Sequence, residues 1–547
     1  MTEDRASFWK RNRWLKWVAG GLLLGLAVVA GVVAVLARRA EPFLRARIVG
    51  ELEDHFHSRV ELDNFHISLA KGLWAEGKGL RIWPPAQVEG ITVPGPGEPL
   101  IRLDEFRFRA PLRYEPGKPI HIPVVELKGL NINLPPRTHF GHPAPGTAQP
   151  NRSMVRFELD QLECTGAQLV LGTSKEGKLP LDFAIAHFKL TNIASGGAMG
   201  FDAELTNPRP VGTIHSTGIF GPWQVADPGE SPIKGDYRFD HADLAIFKGI
   251  AGILTSTGHY QGTLRDIVAD GEADVPDFRL TKFGNAMPLN THFHARVDGT
   301  NGDTWLEPVD ATLGRSHFTA RGQIVRVPAS EIPGAPSLGH DIALKVNVDR
   351  ARIEDFMKLA SAPQRATPLL TGAVAVRANL HVPPGAAPVH ERMTLSGTFD
   401  LDQARFASAK IQDRIEELSL RGQGRPGDVK TADSVNMRSR MEGTFRMAGG
   451  VVTLPALTYT VPGAVIQLKG TYGIEGGALN FEGVARMEAT VSKMVGGWKG
   501  LLLKPADRFF RKDGAGTEVP IHIEGTRENP KFGIDFDRMK GGQGGAR

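Results

Sequence analysis

Apolar residues at every second position recur along this 547-residue chain, and that period decides what it can fold into. Phe65, Ile67 and Leu69 share one parity, and Phe106 and Phe108 alternate with Arg107 and Arg109. Leu130, Ile132 and Leu134 alternate with Asn131 and Asn133, Ala464, Ile466 and Leu468 with Gln467 and Lys469, and Phe532, Ile534 and Phe536 with Gly533 and Asp535. Successive side chains of a strand point to opposite sides, so strict period two means sheets with one apolar and one wet face. Phe157 and Leu159 give way to Leu162 and Cys164, a phase slip at Asp160-Gln161 of the kind a β-bulge or tight turn produces. Gly and Pro punctuate these runs. Gly-Thr units recur at Gly397, Gly443, Gly470 and Gly525, with no fixed period. Helical spacing is scarce. Leu44, Ile48, Leu52 and Phe56 predict one amphipathic helix, and Arg352–Ala360 and Ser492–Lys504 two more, the last stopped by Pro505.

Residues Val18 to Ala37 carry no charge. About 20 helical residues span roughly 30 Å, the thickness of a bilayer core. Lys10, Arg11, Arg13 and Lys16 precede the run, with Trp9, Trp14 and Trp17 at its interface. Arg38, Arg39, Arg45 and Arg47 follow it, but a short basic N-terminal tail favours tail in and body out. A cleaved signal peptide ending near Val35-Leu36-Ala37 is the alternative, although its apolar region is usually about 7–15 residues. Either reading exports the body. The expectation is an uncleaved anchor, with the N-terminus cytoplasmic and the body exported. The single cysteine, Cys164, excludes an intramolecular disulfide. The net charge of +5 is exceeded by the basic residues flanking the run, which leaves the body near neutral and excludes a nucleic-acid surface.

Pro-rich breaks divide the chain into a cytoplasmic tail (1–17), an anchor (18–37), an N-terminal helix and β region (38–134), a Pro-rich linker (135–152), a central β region (153–382), a C-terminal β region (383–540) and a disordered tail (541–547). No motif carries chemistry. His292-Phe293-His294 puts two imidazoles on one strand face, short of the three or four ligands a metal takes. Asp298 to Asp303 lacks the ligand order of a calcium loop and reads as a Gly-rich hairpin turn. Gly422 to Gly427 matches GxGxxG, but no packed helix follows. The chain is therefore expected to be no enzyme and to hold no cofactor or metal. Between Lys493 and Lys512, the residues Trp498, Lys499, Lys504, Arg508, Phe509 and Phe510 form a basic amphipathic element, suited to an anionic lipid surface or to packing on the sheet.

Many apolar strand faces with few helices to cover them leave three solutions: two packed sheets, a closed barrel, or a curled sheet with an apolar trough. An exposed trough marks a binding site. A lipid suits it, since bringing acyl chains into water costs about 0.8 kcal/mol per CH₂.

The order of anchor, amphipathic helix and the block Arg59-Val60-Glu61-Leu62-Asp63-Asn64-Phe65 resembles the start of AsmA-like proteins. So does the closing region, with Val461-Pro462-Gly463-Ala464, Gly470-Thr471-Tyr472, Val519 to Thr526 and Pro530-Lys531-Phe532. A departure is His57, where the family often has Gly. The resemblance implies an elongated, curled antiparallel sheet, a β-taco-like groove on one N-terminal transmembrane helix, that carries phospholipid toward the outer membrane. The groove lining expected on that reading is Ile466, Leu468, Phe481, Ile521, Ile523, Phe532, Ile534 and Phe536. The partners are the phospholipid bilayer and outer-membrane or periplasmic proteins. The alternative is a periplasmic scaffold for outer-membrane protein assembly, whose apolar faces pack together and admit no lipid.

Overall fold

The computed structural model describes residues 41–53 except 43, 59–68, 74–83, 99–109, 120–134, 157–171, 181–193, 197–208, 210–222, 227–247, 249–281, 285–327, 339–360, 370–385, 389–430, 438–474, 476–495 and 516–534, apart from a few single positions. The tail 1–17, the anchor 18–37, the Pro-rich stretch 135–152, the basic segment from 496 on and the tail 541–547 lie outside the described residues. Among those described, no helix is long and apolar enough to cross a membrane. Among the described residues the alternating runs are strands, 24 of them, in open sheet, with few helices. The chain divides into two units, residues 1–174, 179–208 and 214–233, and residues 175–178, 209–213 and 234–547.

In the first unit β1 (Val60–Ser68), β2 (Trp74–Ile82), β3 (Ile101–Arg109), β4 (Ile120–Leu134), β5 (Phe157–Leu171), β6 (Leu181–Ile193) and β7 (Met199–Pro208) pair in sequence order. The expectation of a wholly antiparallel sheet needs one correction, because β4 and β5 pair in parallel. Parallel neighbours need a crossover of about a dozen residues or more, and residues 135–156 supply it.

The phase slip at Asp160-Gln161 lies inside an unbroken strand, so it is no turn. Its counterparts sit in β1, where burial passes from Val60 and Leu62 to Ile67, and in β3, where it passes from Leu103 to Phe106 and Phe108. Each slip has an Asp opposite a residue with left-handed backbone: Asp63 by Gly79 (φ 68°), Asp104 by Gly129 (φ 68°), and Asp160 by Asn192 (φ 58°). A left-handed residue rotates its strand by one step, so both strands change parity together and the apolar side stays on the same face. The buried core of this unit is Val60, Leu62, Ala75, Leu80, Ile82, Leu103, Phe106, Phe108 and Ile122.

The helix expected from Leu44 is described as far as residue 53 and packs Ile48, Val49 and Leu52 on that core. It also shields the open edge of β1. Glu53 Oε1 accepts from the Val60 N–H at 3.2 Å, and Glu41 Oε1 from the Ile67 N–H at 3.0 Å. Unpaired edge groups that would template another strand are thereby satisfied.

Strands β8 (Val211–Phe220) and β9 (Pro232–Asp243) carry the chain across the boundary between units. In the second unit come β10 (Ile250–Ala251), β11 (Ile253–Thr263), β12 (Asp266–Leu280), β13 (Met287–Val297), β14 (Thr304–Leu313), β15 (Ser316–Val327), β16 (Gly339–Arg352), β17 (Leu370–Val382), β18 (Thr394–Phe406), β19 (Arg440–Ala448), β20 (Val451–Val461), β21 (Ala464–Gly473), β22 (Ala478–Met487), β23 (Thr517–Thr526) and β24 (Asn529–Ile534). From β11 on, every strand pairs antiparallel with the next. The predicted helices at Arg352 and Ser492 are present as Ile353–Leu359 and, over the described residues, Val491–Val495. Two others, Ala409–Gly422 and the single turn Val389–Arg392, have no counterpart in the sequence reading.

Candidate functional site

Register lines up the apolar residues of the second unit on one side of its sheet. Val348 lies opposite Val376, Val376 opposite Phe399, Phe399 opposite Gly443, Gly443 opposite Leu457, and Leu457 opposite Leu468. Leu468 continues through Gly483 to Ile521. Toward β11 the same face carries Val346, Ala320, Val309, Phe293 and Gly271. At about 4.8 Å per strand, this apolar row crosses roughly 50 Å of sheet.

The recurring Gly-Thr units acquire a physical role on this face. Gly397 lies opposite Phe445, Gly443 opposite Phe399 and Gly470 opposite Phe481. A Cβ at Gly443 would stand 3.2 Å from the Phe399 ring, and one at Gly470 2.7 Å from Phe481. Gly271 and Phe293 repeat the device at 2.9 Å. The Phe399, Phe481 and Phe293 rings lie against their glycines, which covers backbone that lacks a side chain and keeps the apolar floor low. Each following Thr has the opposite parity and faces water. Gly525, the fourth of the set, is instead a turn residue with φ 97°.

Coverage of this face is uneven. At the strand ends beside the three helices the core is closed. Val348, Val374, Leu401, Tyr459, Ile466, Ala485 and Met487 are buried, beneath Ile353 and Phe356, Ile415 and Leu418, and Met494. Ser419, 2% exposed, donates to the Pro462 carbonyl at 2.7 Å and fixes the Ala409–Gly422 helix on the β20–β21 turn. Farther along the same strands the described helices are limited to the single turn Val389–Arg392, in the connection between β17 and β18. Leu344, Leu380, Leu395, Phe399, Phe445 and Met447 there are half-buried.

Of the residues expected to line a groove, Ile466, Leu468, Phe481, Ile521, Ile523 and Phe532 fall on this one face by register, and Ile534 pairs with Ile521. They differ in environment. Ile466 belongs to the closed core, Phe481 is buried, and Leu468, Ile521 and Ile523 are half-buried. Phe532, on the edge strand β24, is 58% exposed. Phe536 and the surface candidates Trp498, Lys499, Lys504, Arg508, Phe509 and Phe510 lie outside the described residues.

The opposite face is a lattice of exposed charge pairs. Lys469 meets Glu482 at 3.0 Å, Arg486 meets Glu518 at 3.0 Å, and Arg296 meets Asp266 at 2.9 Å. His294 Nδ1 lies 2.6 Å from Asp270, and His292 3.3 Å from Glu272, so each imidazole of the His292-Phe293-His294 pair has its own carboxylate on β12. No cluster of three or more metal-ligating side chains occurs among the described residues. Such pairs contribute about 0–1 kcal/mol each, and their effect is to keep this face wet. Asp298 closes a hairpin turn, its Oδ1 accepting from the Thr300 N–H at 2.9 Å. Gly422 ends a helix, whereas a dinucleotide loop must open one.

Sequence reasoning found the alternation but missed the helix that closes the core. Its signal was present in Ile411, Ile415, Leu418 and Gly422, at helical spacing between Ser408 and a Gly-rich stop. Comparison with known proteins returns no match: no family model, no curated protein and no solved structure is similar to this chain.

Proposed function

We propose that this protein is a membrane-anchored lipid-handling protein of the AsmA-like kind. Acyl chains lie along the apolar face of the second unit, headgroups stay in water, and no reaction is catalysed. The anchor is residues 18–37, in a bacterial inner membrane, and the body is periplasmic, moving phospholipid toward the outer membrane. The observation that carries this reading is the uneven cover of one apolar face, which is a closed core under three helices and half-exposed beyond them. A face used only for packing has no reason to leave Leu344, Leu395, Phe445 and Met447 half-exposed among the described residues. Rings laid over Gly271, Gly443 and Gly470 leave height above the floor, as an alkyl chain requires. Curling of the sheet into a groove is supported by one contact. A Cβ at Gly249, beside β10, would stand 3.4 Å from Val389, in the connection between β17 and β18. Five strand spacings, roughly 24 Å, separate β12 from β17 in a flat sheet.

A second reading has its own observation. β24 is a short edge strand bearing an exposed Phe532, a surface that another strand can extend. That suits a periplasmic scaffold for outer-membrane proteins.

Native mass spectrometry of the full chain in mild detergent separates the two. Co-purifying phospholipid, lost in an Ile523→Asp variant that still unfolds cooperatively, is the expected result. A folded protein free of lipid, or equal lipid in wild type and variant, would remove the lipid reading in favour of the scaffold.

A further inference from the structure

One corner of the second unit holds apolar side chains out in water. Ile246, Phe247 and Ile253 are 49%, 43% and 42% exposed, and no other short segment among the described residues exposes three large apolar side chains. Leu244–Ile246 form a single 3₁₀ turn, which Asp243 caps by accepting from the Ala245 N–H at 2.9 Å. Leu244 is buried and fixes the turn from below. Its N–H donates to the Gly252 carbonyl at 3.0 Å, which brings the start of β11, with Ile253, alongside. The Phe247 N–H donates to the Leu244 carbonyl at 3.0 Å, and the Thr281 N–H to the Gly249 carbonyl at 3.1 Å. Asp277 accepts from the Ile253 N–H at 2.8 Å. The backbone is thus pinned on both sides of the exposed residues, and their exposure is built in.

Three observations suit this corner to a lipid surface. Aliphatic and aromatic side chains presented together are what enters the boundary between headgroups and acyl chains. The charge balance is cationic. Asp243 is occupied by the cap, Asp277 by the Ile253 N–H and by Arg279 at 3.0 Å, and the adjoining sequence adds Lys248 and Lys282. Such a balance favours anionic lipid. The corner also adjoins the uncovered floor. A Cβ at Gly249 would stand 3.4 Å from Val389, in the connection that runs from β17 to β18 between Leu380 and Leu395. Both leucines belong to the half-buried part of the floor. We infer that residues 244–253 dock the second unit on an anionic bilayer. Ile246, Phe247 and Ile253 enter the interfacial layer, and the uncovered end of the floor is brought against the lipid. Passage of a lipid through that contact rests on the lipid reading; the contact itself rests on the corner.

A local fluorophore tests the contact in the full chain, reconstituted in vesicles of phosphatidylcholine and phosphatidylglycerol. Ile246→Cys carries the environment-sensitive label NBD, while Cys164 is buried and stays unlabelled. Blue-shifted emission, quenched by nitroxide-bearing phosphatidylcholine, is the expected result. Phe247→Asp in the same background should abolish both, because a charge in the interfacial layer opposes insertion. Vesicles without phosphatidylglycerol should weaken both. The same label on Thr257→Cys, exposed on the wet face, should show neither. Placing the quencher in the host vesicles, or only in added vesicles, identifies which membrane is touched; quenching in either arrangement retains the contact. A label at 246 that stays in water in both arrangements would overturn it and assign the corner to a protein partner. Quenching that survives Phe247→Asp, with circular dichroism unchanged, would overturn it as well. Native mass spectrometry decides the lipid reading separately. Protein free of lipid whose label at 246 is still quenched would lose the conduit and keep the docking contact.

Discussion

Single residues in the first unit show how a strand can change parity without leaving its sheet. Gly129 has φ 68°, and a Cβ there would run into the Asp104 carboxylate. Gly129→Ala should therefore lower stability by about 1–3 kcal/mol, read as a shift in the urea midpoint of this unit, while Gly129→Asn should cost less of the backbone strain. Cys164 is 1% exposed, and burial pushes its thiol up from the ordinary range. A thiol reagent should leave native protein unlabelled at neutral pH and react only as the first unit unfolds. Fast labelling of folded protein would contradict this burial. Asp277 behaves in the opposite sense. Its Oδ1 accepts from the Ile253 N–H at 2.8 Å, and this bond, with Arg279 alongside, holds the carboxyl below the usual carboxylate range. Its contribution is present above the unfolded carboxylate value, about 3.9, and is lost as pH falls through the lower folded value. Hydrogen exchange at Ile253 should accelerate in that acid window for wild type and show no such step in Asp277→Asn.

Among elements, the Ala409–Gly422 helix separates closed core from open floor. It stands on Ile415 and Leu418 and is tied by Ser419 to Pro462 and by Arg421 Nη1 to the Met494 carbonyl at 3.3 Å. Leu401, 2% exposed beneath it, should cost about 2–5 kcal/mol when changed to Ala, since the closed end cannot collapse fully into the void. Phe445→Ala, on the uncovered floor, should cost clearly less. Equal losses in thermal or urea unfolding would mean that the floor is as closed as the core. The helix that shields β1 acts differently, through Glu41 and Glu53 on strand N–H groups. It protects an edge more than it builds a core.

Across the second unit as a whole, Ile466 and Ile523 share a face but not a fate. Both belong to the groove lining expected from sequence, where Asp would act alike at either position. Because Ile466 lies in the closed cluster, Ile466→Asp buries an unpaired charge and should destabilise the unit by at least about 3 kcal/mol, whereas Ile523→Asp should leave the melt nearly unchanged and remove bound lipid. Similar melts for both variants would refute that division of the face.

Much of this was legible in local sequence. Side chains alternate across a strand by covalent geometry, so Phe532-Gly533-Ile534 or Leu130-Asn131-Ile132 reveals a strand and its apolar side without knowledge of any neighbour. The slip at Asp160-Gln161 was visible for the same reason. Its cause was not, since the left-handed Asn192 that answers it lies on another strand. Nor was the pairing of Gly443 with Phe399, or the landing of residues 409–422 on Val374, Leu401 and Tyr459. Those depend on register and on contacts between residues far apart in the chain. Which apolar residues face a floor, and which lie under a helix, follows from where distant segments dock, and no local period encodes that.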